Sequence, residues 1–195
     1  MALPEPVERE AFHRRRIEVE GYRRSDGLWD IEARLVDTKT YAFDNGWRGE
    51  IRPGEPLHDM WLRVTIDDAM AVRDVVAVAA AHPFRVCPEI TGNFRRLIGE
   101  TLGAGWRQRV RARLGGVEGC THLVDLLDPV ATVAFQTLRS ERARALMPKR
   151  PDASGDAPRR RPAVIDTCHA MRADGEVVRE FWPAFYTGGG SDKAD

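Results

Sequence analysis

Three cysteines and five histidines supply the soft and borderline donors of this 195-residue chain. Cys120 stands in the string Gly-Gly-Val-Glu-Gly-Cys-Thr-His-Leu (residues 115–123), where glycines lead into a helix-capping threonine. Cys87 stands in Cys-Pro-Glu, with proline and an acid at the first helical positions. Both cysteines therefore fall at predicted helix starts, where unpaired N–H groups and the helix dipole favour a thiolate. Each cysteine also has a histidine nearby: His122 two residues after Cys120, His169 next to Cys168, and His82 five residues before Cys87. His58 and Asp59 stand together at the entrance of a predicted strand. Cysteine, imidazole and carboxylate are ligand types for zinc or iron, and four such groups close a tetrahedral site. The expected ligands are Cys87, Cys120, Cys168, His58 and Asp59. His122 and His169 are held in reserve; for His122, two residues along a helix turn a side chain roughly 200° away from Cys120. Cys120 and His122 can meet only if Cys120 lies outside the helix. The bland alternative is that the cysteines are small buried apolar residues and the histidines ordinary core or capping groups.

Those residues need a scaffold, and the hydrophobic pattern predicts one. Residues 14–22 and 28–37 alternate apolar and polar around Ser-Asp-Gly, which predicts a β-hairpin. The arginines 14–16, 23 and 24 read as an anion site or, preferably, as a solvated strand face offset by Asp30, Glu32 and Asp37. Residues 38–56 carry turn signals, and Met60, Leu62, Val64 and Ile66 share one face of a third strand. Residues 72–81 fit helical spacing or a strand running into a helix. Further helices are expected from Pro88 to about Thr101, over residues 106–114, and from Thr121 onward with a break or kink near Pro129. Residues 148–162 are a linker by composition. Residues 163–187 read as a terminal β-hairpin, too small to fold alone and so expected to dock on the main domain (1–147); 188–195 read as a disordered tail. The fold class is α+β, an antiparallel sheet packed against three to four helices.

Bulk properties bound the function. Thirty basic and thirty acidic residues balance to zero net charge, against general nucleic-acid binding. No stretch reads as a signal peptide or transmembrane helix, so a cytoplasmic protein is expected. An odd number of cysteines then suggests free thiols or metal ligands rather than disulfides.

The strings from Tyr22 to Glu32, His58-Asp59-Met60, residues 119–123, residues 166–169 and Trp182-Pro183 resemble a family of uncharacterised bacterial proteins known only as a domain of unknown function. Residues 59–134 are also similar in order to iron–sulfur cluster scaffolds of the IscU and NifU type. That resemblance implies a scaffold-like central fold and places Asp59, Cys87 and Cys120 on ligand positions. The scaffold's first cysteine falls on Leu57 and the histidine before its last cysteine on Gly119, so His58, His122 or Cys168 would have to substitute. The leading expectation is a metal-binding protein holding zinc or an iron–sulfur cluster. One rival is a thiol- or metal-dependent enzyme acting on a small organic substrate, through Cys120 with His122 or His58 as base, or through His58 and Asp59. The other is a partner-binding module presenting the arginine-rich helix 106–113.

Overall fold

A computed structural model describes residues 3–146 and 161–188, with the backbone alone for 139–146. The linker expected over 148–162 lies, up to residue 160, outside the described residues, as does the tail from 189. The chain divides into two compact units, Met1–Glu141 and Arg142–Asp195.

The first unit is built on a four-stranded antiparallel sheet of β1 (His13–Arg23), β2 (Trp29–Lys39), β5 (Pro56–Ile66) and β6 (Val72–Ala81), in the order β1-β2-β5-β6. The short strands β3 (Phe43–Asp44) and β4 (Glu50–Ile51) form a separate ribbon in the β2–β5 connection. The β1–β2 turn places Gly27 at φ 85°, and Asp26 Oδ1 accepts the Leu28 N–H. In the β5–β6 turn, Asp67 accepts the N–H groups of Ala69 and Ala71.

Residues 72–81 are a strand, settling the ambiguity between helix and strand. Their β-branched valines suit a pleated surface, and β5 supplies the partner ladder. Strand periodicity makes one sheet face apolar: Trp29, Ile31, Ala33 and Leu35 on β2, with Met60, Leu62, Val64 and Ile66 on β5, are all buried.

The helices cover that face. A succession of 3-10 turns over Cys87–Leu97 buries Phe94 and Leu97. Helix α1 (Trp106–Leu114) buries Trp106, Val110 and Leu114 at four-residue spacing, and the Trp106 indole donates to Leu127 O at 3.2 Å. The arginines of α1 lie outward, with Arg107 on Asp128 and Arg109 and Arg113 on Glu100.

A short helix α2 (Thr121–Val124) precedes α3 (Leu127–Leu146). The break falls before Pro129, which sits in the first turn of α3, where a missing N–H costs nothing. Leu123, Leu126, Leu127, Val130, Ala134 and Leu138 complete the core. Helix α3 passes close over β1: a Cβ on Gly21 would stand 2.2 Å from Thr137 Oγ1, so only glycine fits at this crossing.

The second unit corrects one expectation. Its described residues 161–188 are not a β-hairpin. Residues 169–171 form a 3-10 turn, Glu176–Phe181 form helix α4, and Pro183–Phe185 form another 3-10 turn. The apolar residues of 163–182 read locally as strands. In the structure Val164, Ile165, Ala173, Val178 and Trp182 instead gather into a small core, three of them before α4 and Val178 within it.

Candidate functional site

The apolar face of the sheet ends in charge. On β2 the inward positions run Trp29, Ile31, Ala33, Leu35 and then Asp37, which is 1% exposed. On β5 they begin with His58, directly opposite Asp37, and on β1 Arg15 is the Cα partner of Asp37. Three neighbouring strands therefore carry Arg15, Asp37 and His58 in one row. The β2–β5 register shifts immediately after this row: Asp37 pairs with His58, but Thr38 pairs with Pro56, so Leu57 is skipped. Such irregularities end a ladder and re-aim its side chains.

Asp37 is the hub. Arg15 grips it as a fork, Nε to Oδ1 and Nη2 to Oδ2, both at 2.8 Å. His13 Nε2 lies 3.1 Å from Oδ1, and His58 Nδ1 lies 3.1 Å from Oδ2. From α2, His122 stacks on His58 with ring centroids 3.7 Å apart, and its Nε2 reaches to 3.6 Å from Asp37 Oδ2. Asp125 accepts the remaining arm of Arg15 at 2.8 Å. Three of the five histidines thus converge on one carboxylate.

The electrostatics follow from burial and pairing. Burial raises the Asp37 pKa, but the Arg15 hydrogen bonds and charge outweigh it and hold the carboxyl below its ordinary value. Burial, with a contribution from neighbouring His122, pushes His58 down to about 4. Burial and the Arg15 charge also lower His122. At neutral pH the site holds an ionised carboxylate beside the neutral imidazoles of His58 and His122, each with one unprotonated ring nitrogen.

Asp37, His58 and His122 each offer one ligand atom, and these atoms all lie within 4.8 Å of one another. Of the two separations from Oδ2, 3.1 Å falls within the roughly 3.0–3.4 Å edges expected around a cation with bonds near 2.1 Å, and 3.6 Å lies just beyond them. Without a cation, His58 Nδ1–H donates to Asp37. With one between them, the same two atoms become ligands.

Cys120 caps α2 from outside it, with extended backbone at φ −111° and ψ 126°. This is the condition under which Cys120 and His122 can meet, and Cys120 Sγ lies 3.9 Å from His122 Nδ1. The sulfur thus faces the ring nitrogen that does not face Asp37.

None of the other expected ligands is among the three residues of this group. Asp59 follows His58 by one residue, so strand alternation sends it to the opposite face of the sheet. There it pairs with Arg34 at 2.8 and 2.9 Å. Cys87 is half-buried at the start of its 3-10 segment. Cys168 and His169 are exposed in the second unit. His82 bonds the Phe84 carbonyl region through Nδ1 at 2.8 Å.

Asp37, His13 and Asp125 carry no site expectation from the sequence, and Arg15 enters only through the alternative of an anion site; the preferred reading puts Arg15 and Asp37 on a solvated strand face. The overlooked signal is the period of β2: a charged residue on the beat of four buried apolar ones.

The structure defines an α+β domain with an Asp/His/His group at the polar end of its sheet. The chain belongs to the DUF2889 family, proteins of unknown function, whose model matches residues 13–136. That span contains every residue of the Asp37 cluster. No curated protein and no solved structure matches the chain.

Proposed function

We propose that the protein binds a single transition-metal ion of the zinc or ferrous type through Asp37 Oδ2, His58 Nδ1 and His122 Nε2. The observation that carries this reading is the convergence of one ligand atom each from the buried Asp37 and from His58 and His122. Imidazole and carboxylate suit zinc or ferrous iron better than an iron–sulfur cluster, which is held chiefly by thiolates. Three protein ligands leave coordination positions open to water or a substrate, the pattern of catalytic rather than structural sites. Arg15 orients Asp37 from behind, and Cys120 accepts a hydrogen bond from His122 Nδ1 once Nε2 is on the metal. Calorimetric titration of metal-stripped protein with zinc should give one equivalent, with cobalt producing d–d absorption bands. Asp37→Asn and His58→Ala should each abolish that site. Zinc binding no tighter in the native chain than in these variants would overturn the reading.

A thiol enzyme is the second reading, favoured by the order Cys120–His122–Asp37 of nucleophile, base and orienting acid. It predicts that Cys120 in a Cys87→Ser, Cys168→Ser background reacts with iodoacetamide faster than free cysteine. A rate no faster would count against it.

A further inference from the structure

Strand β1 is an edge strand 11 residues long, and among the described residues nothing pairs with its outer side. Its pairing with β2 runs without a register shift, and it contains no proline, so it lacks two usual devices that blunt an edge. Two bonds at its ends fix which groups face outward. Thr40 N–H reaches Phe12 O, and Arg24 N–H reaches Leu28 O. Even-numbered residues therefore bond to β2, while His13, Arg15, Ile17, Val19, Gly21 and Arg23 turn their backbone N–H and C=O groups away from the sheet.

The sequence of this edge is segregated by charge, with Arg14 and Arg16 in its first half and Glu18 and Glu20 in its second. All four point to the sheet face opposite the Asp37 cluster and are exposed. An antiparallel copy of the same strand, related by a two-fold axis at Ile17, sets Arg16 against Glu18 and Arg14 against Glu20, twice each. These fall at the non-hydrogen-bonded positions, where cross-strand side chains come closest. The outward groups of residues 13, 15, 17, 19 and 21 then complete the ladder. The same register brings Ile17, which is 41% exposed, against its own copy. A slip by two residues either way would stack Glu18 on Glu18 or Arg16 on Arg16.

We propose that β1 is the seam of a homodimer, in which two copies pair in this register and join their four-stranded sheets into one. The charge pattern makes the strand complementary to itself and selects a second copy over an unrelated partner. The proposal rests on the sheet edge alone and is independent of any metal.

Sedimentation or light scattering of the full chain at micromolar concentration should give twice the chain mass. Arg14→Glu with Arg16→Glu makes the seam wholly acidic, and Glu18→Arg with Glu20→Arg makes it wholly basic. Each double variant should be monomeric with an unchanged circular dichroism spectrum. Mixed one to one, the two should recover the dimer mass. Ile17→Pro removes one outward N–H and should also weaken association. If charge reversal unfolds the chain, the Ile17→Pro result decides. A monomeric native chain, a dimer unaffected by both charge reversals, or failure of the mixture to associate would overturn the proposal.

Discussion

The covered face of the sheet has two regions built on the same backbone period. Over Trp29, Ile31, Ala33 and Leu35, and over Met60 to Ile66, it is apolar and sealed by helices. One step further along the same strands it becomes Asp37 and His58, joined by Arg15 and His13 from β1 and His122 from α2. The first region holds the domain together. In the second, a buried carboxylate is held by hydrogen bonds from Arg15, His13 and His58, with His122 stacked on His58. A buried ion pair is a weak source of stability, because desolvation offsets much of the attraction. The polar end therefore contributes less to folding than the apolar region beside it.

Breaking the apolar region should have the largest effect on stability. Leu62→Ala leaves a cavity in the sheet–helix core and should cost about 2–5 kcal/mol, while zinc stoichiometry at saturation stays at the native value. Denaturant unfolding and metal titration on the same variant check both halves.

Asp37→Leu extends the apolar stripe into the polar end. It should abolish metal binding yet cost less, about 1–3 kcal/mol, because Arg15 is partly exposed and keeps Asp125 as partner. A loss of stability larger than that of Leu62→Ala would show that the cluster is structural after all.

Acid should sharpen the contrast. His58 is lowered to about 4 when folded, from 6.5. Between those values the unfolded chain binds more protons, so stability is fully present above about pH 6.5 and is lost as pH falls toward 4. Arg15, Asp37 and His122 all face the ring. The lowered Asp37 acts in the same direction at still lower pH, contributing stability above its unfolded value that falls away through its folded one. Unfolding free energies at pH 7 and pH 5 should differ by about 1 kcal/mol per unit or less from His58, and His58→Phe should flatten that slope.

The smallest effect is expected at Asp59. Asp59→Asn breaks a partly exposed pair with Arg34 on the other face. It should cost under about 1 kcal/mol and leave metal affinity unchanged. A loss of metal binding in this variant would mean that the site extends across β5.

Much of the scaffold was legible because local periodicity is a local property. The alternation in residues 14–22 and 28–37 around Gly27 gave a hairpin, and the period of Trp106, Val110 and Leu114 gave a helix with the observed bounds. The strand at 72–81 stayed ambiguous because a run of valine and alanine satisfies both periods until a neighbouring strand offers hydrogen bonds. The terminal segment reads as strands but is helical for a related reason: β-branched and aromatic residues favour strands only when a partner edge exists, and Val177, Val178 and Phe181 form a helix on their own small core.

The residue types at the candidate site were in view from the start, but their grouping was not. His58 and Asp59 are neighbours in sequence, yet the pleat of β5 sends them to opposite faces. Asp37 and His122 lie far apart in sequence, yet strand register and the turn into α2 bring them together. The chain by itself determined three strands of the sheet, the helix over 106–114 and the one from Thr121, the position of Cys120 at a helix mouth and the presence of imidazole and carboxylate donors. Only the tertiary structure decided which carboxylate those imidazoles face, because strand pairing brings together donors that no sequence motif links.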